Sequence, residues 1–181
     1  MIRTPSNESL CTFIKNSPTP FHAVAAMRHR LLQAGFSELQ EGKPWPDGTA
    51  KGFVSRGGSL IAFSFNPSAP PAAGVRMIGA HTDSPSLQIK PNLSRHAPPY
   101  LTAGVETYGG AQLRSWFDRE LSLAGRVCCR TPEDDCLILL VDFERPVVCI
   151  PSLASHLTRK ANDGLEINAQ RDVCPIIGID S

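Results

Sequence analysis

At 181 residues and 41 % hydrophobic content, the chain is sized for one large domain or two small ones folded around a real core. A formal net charge of +1, without blocks of like charge, argues against a polyanion-binding surface, so neither nucleic acid nor a membrane is an expected partner. The amino end, MIRTPSNESLCTFIKNSP, lacks the apolar stretch of a signal peptide, and no later run approaches the roughly 20 apolar residues of a membrane span, which predicts a cytoplasmic protein.

The first predicted element is a helix capped by Ser6, with Leu10, Phe13 and Ile14 on one face. Two prolines in NSPTPF end it and start a second helix at about Pro20, with Val24, Met27 and Leu31 as its buried stripe and Gly35 as its C-terminal cap residue. KGFVSR and SLIAFSF, joined by Gly57 and Gly58, read as a hairpin. NPSAPPAAG is a proline-rich surface loop, and VRMIGA (75–80), with its continuous apolar core, reads as a strand covered on both faces in the middle of an α/β sheet. From Leu87 the runs LQIKP, YLTAGVETY, LSLAGRVCCR, CLILLVDF and PVVCIP predict a β-rich second module. Within it only SLASHLTRKA, opening with Ser152, has helical spacing, and CPIIGIDS looks like a final strand with nothing after it to pair with.

The six cysteines are scattered and are expected to be small buried hydrophobes kept reduced. Cys128 and Cys129 are adjacent and so point to opposite faces of any strand, and no CxxC spacing offers a structural zinc site.

The chemistry centres on GAHTDSP (79–85). In an extended chain residues i and i+2 project to one side, so His81 and Asp83 can share a space at the end of the VRMIGA strand. There a neutral imidazole can ligate a metal while the carboxylate orients the ring, although a satisfied polar pair explains one HxD equally simply, and a catalytic zinc wants three protein ligands. Ser84 lacks the GxSxG elbow of a nucleophile. His22 and His29 suit capping or solvated roles on the second helix, His96 lies in a loop, and His156 reads as structural among apolar neighbours. Asp118, Arg119 and Glu120 form a charge cluster suited to a salt-bridged turn or an interface, and Gly109 and Gly110 suit a turn or the approach of a ligand to the backbone.

Taken in order, NSPTPFHAV, GAHTDSP, VETYGGA, SWFDRELSLAGRV and IPSLASHLTR resemble the amino-terminal part of the aspartyl aminopeptidase family, cytosolic dinuclear zinc metallopeptidases. The resemblance implies an α/β class chain: residues 1–87 as the first part of a metallopeptidase catalytic α/β domain, and 88–181 as a β-rich domain that builds dimers and a larger homo-oligomer. It implies His81 as a ligand of one of two zinc ions, Asp83 as the carboxylate that orients it, and His156 as a group that reaches a neighbouring subunit's active site and holds the peptide substrate there. Two zinc ions would then acidify a shared water for attack on the first peptide bond, removing N-terminal, acidic residues.

Members of that family are more than twice this length, so only one metal ligand matches. The expectation is a truncated chain that has no peptidase activity by itself; the competing expectation is a non-catalytic module that self-associates or binds a partner. DRE at 118–120 stands where the family usually has DRD.

Overall fold

The computed structural model describes residues 5–66, 68, 74–159, 163–164 and 166–179, with side chains 5 and 93–97 left aside. The described chain forms two compact units, one containing the residues up to Asp83 together with Gly125–Leu140, the other Ser84–Ala124 with the residues from Val141 onward. Most of the predicted loop 66–74, and the side chain of His96, lie outside what is described.

In the first unit, α1 (Pro5–Lys15) begins before Ser6, which therefore lies in the first turn and does not cap it. Its Leu10 and Ile14 are exposed, while Phe13 is covered by the Arg30 guanidinium 4.9 Å from its ring centre. The second helix, α2 (Pro20–Gln33), starts where the prolines predict: Thr19 caps it, its hydroxyl accepting from the His22 N–H, and Pro20 fills a position whose missing N–H costs nothing. Gly35 takes φ 78° and the Phe36 N–H returns to the Leu31 carbonyl at 3.0 Å, closing the helix as expected. Val24 is buried, and Met27 and Leu31 half-buried.

Next come β1 (Ser37–Glu38), β2 (Lys51–Arg56) and β3 (Ser59–Ser64), in the order β1-β2-β3; β2 and β3 are the predicted hairpin, in register from Lys51↔Ser64 to Arg56↔Ser59 around Gly57 and Gly58. Phe53 is fully buried in this unit, where Leu39, Val24 and Ala23 are also buried. Beside it Gly52 leaves room for its neighbours: a Cβ there would stand 2.7 Å from the side-chain tips of both Leu39 and Phe63, which would have to shift.

In the second unit β4 (Ser86–Ala97) and β5 (Tyr100–Tyr108) pair antiparallel, with a bulge between Ile89 and Ser94. Three further strands complete a five-stranded sheet: β6 (Glu120–Leu121), β9 (Val148–Cys149) and β10 (Ile176–Ile179), in the order β4-β5-β10-β9-β6. The CPIIGIDS run thus has partners after all: β10 lies between β5 and β9, paired by residues far earlier in the chain. Val105, Ile150 and Val173 form the core, flanked by Leu87, Trp116 and Phe117.

The remaining strands, β7 (Ala124–Arg130) and β8 (Cys136–Asp142), make a separate two-stranded sheet. Leu137 to Leu140 are all exposed on it, and so are Cys128, Cys129 and Cys136, because no other strand among the described residues joins this sheet. The expectation of buried cysteines fails throughout: five of the six are exposed and Cys174 is intermediate.

Two further expectations fail for want of partners. VRMIGA is not a strand; Val75, Met77 and Ile78 are 77, 90 and 100 % exposed, since a ladder needs neighbours and none of the described strands pairs with this run. SLASHLTRKA is a turn at 155–157 and not a helix over its described residues, with Leu153 and Leu157 exposed, so its apolar stripe packs on nothing among the described residues.

Candidate metal-ligand segment at His81

Within the first unit, the segment 79–83 is tied to the hairpin through Thr82. Gly58 packs against the start of α2, where a Cβ would meet Pro20 at 3.1 Å, and its carbonyl accepts the Thr82 hydroxyl at 2.7 Å. Arg126 lies over the Phe21 ring at 4.3 Å, covering the same helix start. Thr82, which no motif singles out, thereby fixes the backbone between His81 and Asp83.

His81 Nδ1 is 2.8 Å from the Asp83 carbonyl oxygen and 3.2 Å from Asp83 Oδ1. Both of those atoms only accept when the carboxyl is ionised, so the ring proton belongs on Nδ1 and the lone pair of the neutral ring on Nε2. Nε2 has no hydrogen-bond partner among the described residues, and the ring is 81 % exposed. The i, i+2 pairing read from the sequence is therefore present, on an exposed extended segment and not at the end of a covered strand. This is the arrangement in which a carboxylate orients a metal-binding imidazole. Among the described residues, however, no group of three or more His, Cys, Asp and Glu side chains could hold a metal ion. The donors present fit one corner of a zinc site.

Ser84 is exposed and has no hydrogen-bonded base among the described residues. The His22 Nδ1 lies 2.7 Å from the Thr19 hydroxyl and His29 bonds Gln33 at 2.9 Å, local roles at both ends of α2. Gly109, at φ 67°, lies close against Pro85, where a Cβ would be 3.4 Å from the proline.

In the second unit His156 stands exposed in the 155–157 turn, without a hydrogen-bond partner among the described residues. The stretch leading to it is fastened by Asp118. Asp118 Oδ1 accepts the Ser152 N–H at 2.8 Å, Oδ2 accepts the Ser152 hydroxyl at 2.6 Å, and the Asp118 N–H donates to the Ile150 carbonyl at 2.9 Å. The Ser152 hydroxyl, followed by the Ser152 N–H, holds the Asp118 carboxyl below the usual carboxylate range. Asp118 sits at φ 54°, a backbone conformation aspartate tolerates better than most residues. The DRE cluster is thus a turn closed by a serine, a pairing across 34 residues that sequence spacing does not show.

The model of the family described as aminopeptidase I zinc metalloprotease (M18) matches residues 13–181. A probable M18 family aminopeptidase 2 of Azotobacter vinelandii is 46 % identical over 181 residues, covering 97 % of this chain and 41 % of the relative. One from Pseudomonas fluorescens is also 46 % identical, with the same coverage. The chain spans well under half the length of these relatives. Among solved structures, a cryo-EM structure of an Ape4 and Nbr1 complex superposes with TM-score 0.89 at 38 % identity, over 96 % of this chain and 34 % of that one. The dodecamer of mApe1 from S. cerevisiae superposes with TM-score 0.77 at 28 % identity, over 94 and 37 %. No helix among the described residues is long and apolar enough to cross a membrane.

Proposed function

The chain belongs to the M18 family of aminopeptidase I zinc metalloproteases, and on that premise we propose that it is the part of a metal-dependent aminopeptidase that supplies one metal-binding imidazole, His81. The observation that carries this is the His81 ring itself, with Nδ1 tied to Asp83 and Nε2 open and exposed.

The chemistry two zinc ions supply when bound is a water acidified to near-neutral pKa and a counter-charge for the oxyanion that develops at the first peptide bond. Within this chain His81 offers its Nε2 lone pair; Asp83 keeps the ring proton on Nδ1, so that the lone pair stays available; Thr82 holds the intervening backbone. His156, exposed on a turn that follows the Ser152 held by Asp118, is the group we assign to contact peptide substrate in a neighbouring subunit. The self-assembly this requires is supported by the dodecamer of the mApe1 relative. The substrates are peptides with acidic N-terminal residues, a preference taken from the aspartyl aminopeptidase resemblance.

One imidazole does not hold two zinc ions, so the 181-residue polypeptide alone is expected to turn over no aminoacyl p-nitroanilide, with or without added zinc. The test of the ligand assignment is long-range 15N NMR of the histidines during a Zn²⁺ titration. His81 Nε2 is expected to shift first, and a His81 unaffected while other histidines respond would refute the assignment. The second reading, a non-catalytic module that self-associates, draws on the lack of a three-ligand group among the described residues and on the bared apolar side chains of Leu137–Leu140. Concentration-dependent association with no zinc response at His81 would select it.

A further inference from the structure

The hairpin of β7 and β8 closes over a three-residue loop. The Thr131 N–H donates to the Asp135 carbonyl at 2.9 Å, the Asp134 N–H to the Thr131 carbonyl at 3.0 Å, and Asp134 takes φ 67°, the type I turn followed by a left-handed residue that this loop length favours. Those bonds set the register. Counting back from Thr131 opposite Asp135 places Arg130 opposite Cys136 and Cys128 opposite Ile138, so Cys128 and Cys136 are diagonal neighbours on one face while Cys129 points to the other. Both thiols are exposed on that face.

We propose that Cys128 and Cys136 form a two-coordinate thiolate site for a soft monovalent cation, Cu(I). A diagonal pair has Cα atoms about 7–8 Å apart, beyond the roughly 4.4–6.8 Å a disulfide spans, so a direct S–S bond requires the backbone to move. An ion seated between two sulfurs bridges the longer gap without that movement. Thiolate sulfur selects Cu(I) over the harder divalent ions. Two-coordinate binding also needs no third ligand, which agrees with the lack of any group of three donors among the described residues. The step balances without redox chemistry: Cu⁺ and two thiols give a bis-thiolate cuprous complex of net charge −1 and release two protons to solvent. The site is independent of His81 and of the peptidase reading.

The test is anaerobic titration of the fully reduced chain with Cu(I) in competition with a chromophoric Cu(I) chelator. The parent chain and Cys129→Ser are expected to take one Cu(I) from the chelator, and Cys128→Ser and Cys136→Ser each to lose that equivalent. Cys→Ala variants at both positions, checked by circular dichroism, separate loss of a ligand from loss of fold. Retention of the equivalent by either folded 128 or 136 variant, or its loss in Cys129→Ser, would overturn the site. So would ready closure of a Cys128–Cys136 disulfide by glutathione disulfide, because it would show the pair closer than the diagonal spacing.

Discussion

Two aspartates each hold a neighbour in place, with opposite chemical outcomes. Asp83 meets only one nitrogen of His81, on an exposed segment, and leaves the other nitrogen open. Asp118 spends both carboxylate oxygens on Ser152 and its own N–H on Ile150, whose side chain is 1 % exposed in the core of the second unit. A carboxylate whose partner keeps an unused donor or acceptor suits ligand chemistry, whereas one whose partners are all satisfied suits structure.

The largest expected effect falls on the structural side. Ile150→Ala, which empties a core position beneath the Asp118 clamp, is expected to cost about 2–5 kcal/mol of stability by thermal or denaturant unfolding. A loss under 1 kcal/mol would mean the clamp is not anchored in the core and would erase the contrast. Next, Asp83→Asn is expected to weaken Zn²⁺ binding at His81 by about 10–100-fold in NMR titration, with an unchanged circular dichroism spectrum. Equal zinc affinity would show that Asp83 does not orient the ring.

A third prediction concerns acid. Because the folded pKa of Asp118 is depressed, its stabilisation is fully present above the ordinary carboxylate pKa of about 4 and is lost as pH falls through the lower folded value. Hydrogen exchange corrected for intrinsic rates should therefore show the Ser152 amide protected at neutral pH and progressively opened in acid. Asp118→Asn should remove that acid dependence, and an unchanged profile in the variant would break the assignment. The smallest effect belongs to Ile78→Ala, expected to change stability by less than about 0.5 kcal/mol, since a fully exposed side chain in this chain has no packing to lose.

What could be read from sequence follows the range of the forces involved. Thr19, Pro20 and Gly35 bound α2, and Gly57 and Gly58 turn the β2–β3 hairpin, because caps and tight turns are settled by neighbours within a few residues. The His81 and Asp83 pairing is likewise local, an i, i+2 contact. The Asp118 clamp to Ser152, the Thr82 anchor on Gly58 and the partners of β10 join residues far apart in the chain, and no spacing announces them.

By itself, the sequence determined the kind of chemistry, an imidazole and a carboxylate two residues apart, and through its motifs the family. Tertiary structure alone decided burial: VRMIGA and five of the six cysteines are apolar enough for a core, yet they stand exposed, because burial needs a second surface that one segment cannot supply. It also decided which carboxylate is used up by its partners and which leaves an imidazole nitrogen open, since that depends on whether distant donors arrive within hydrogen-bonding distance.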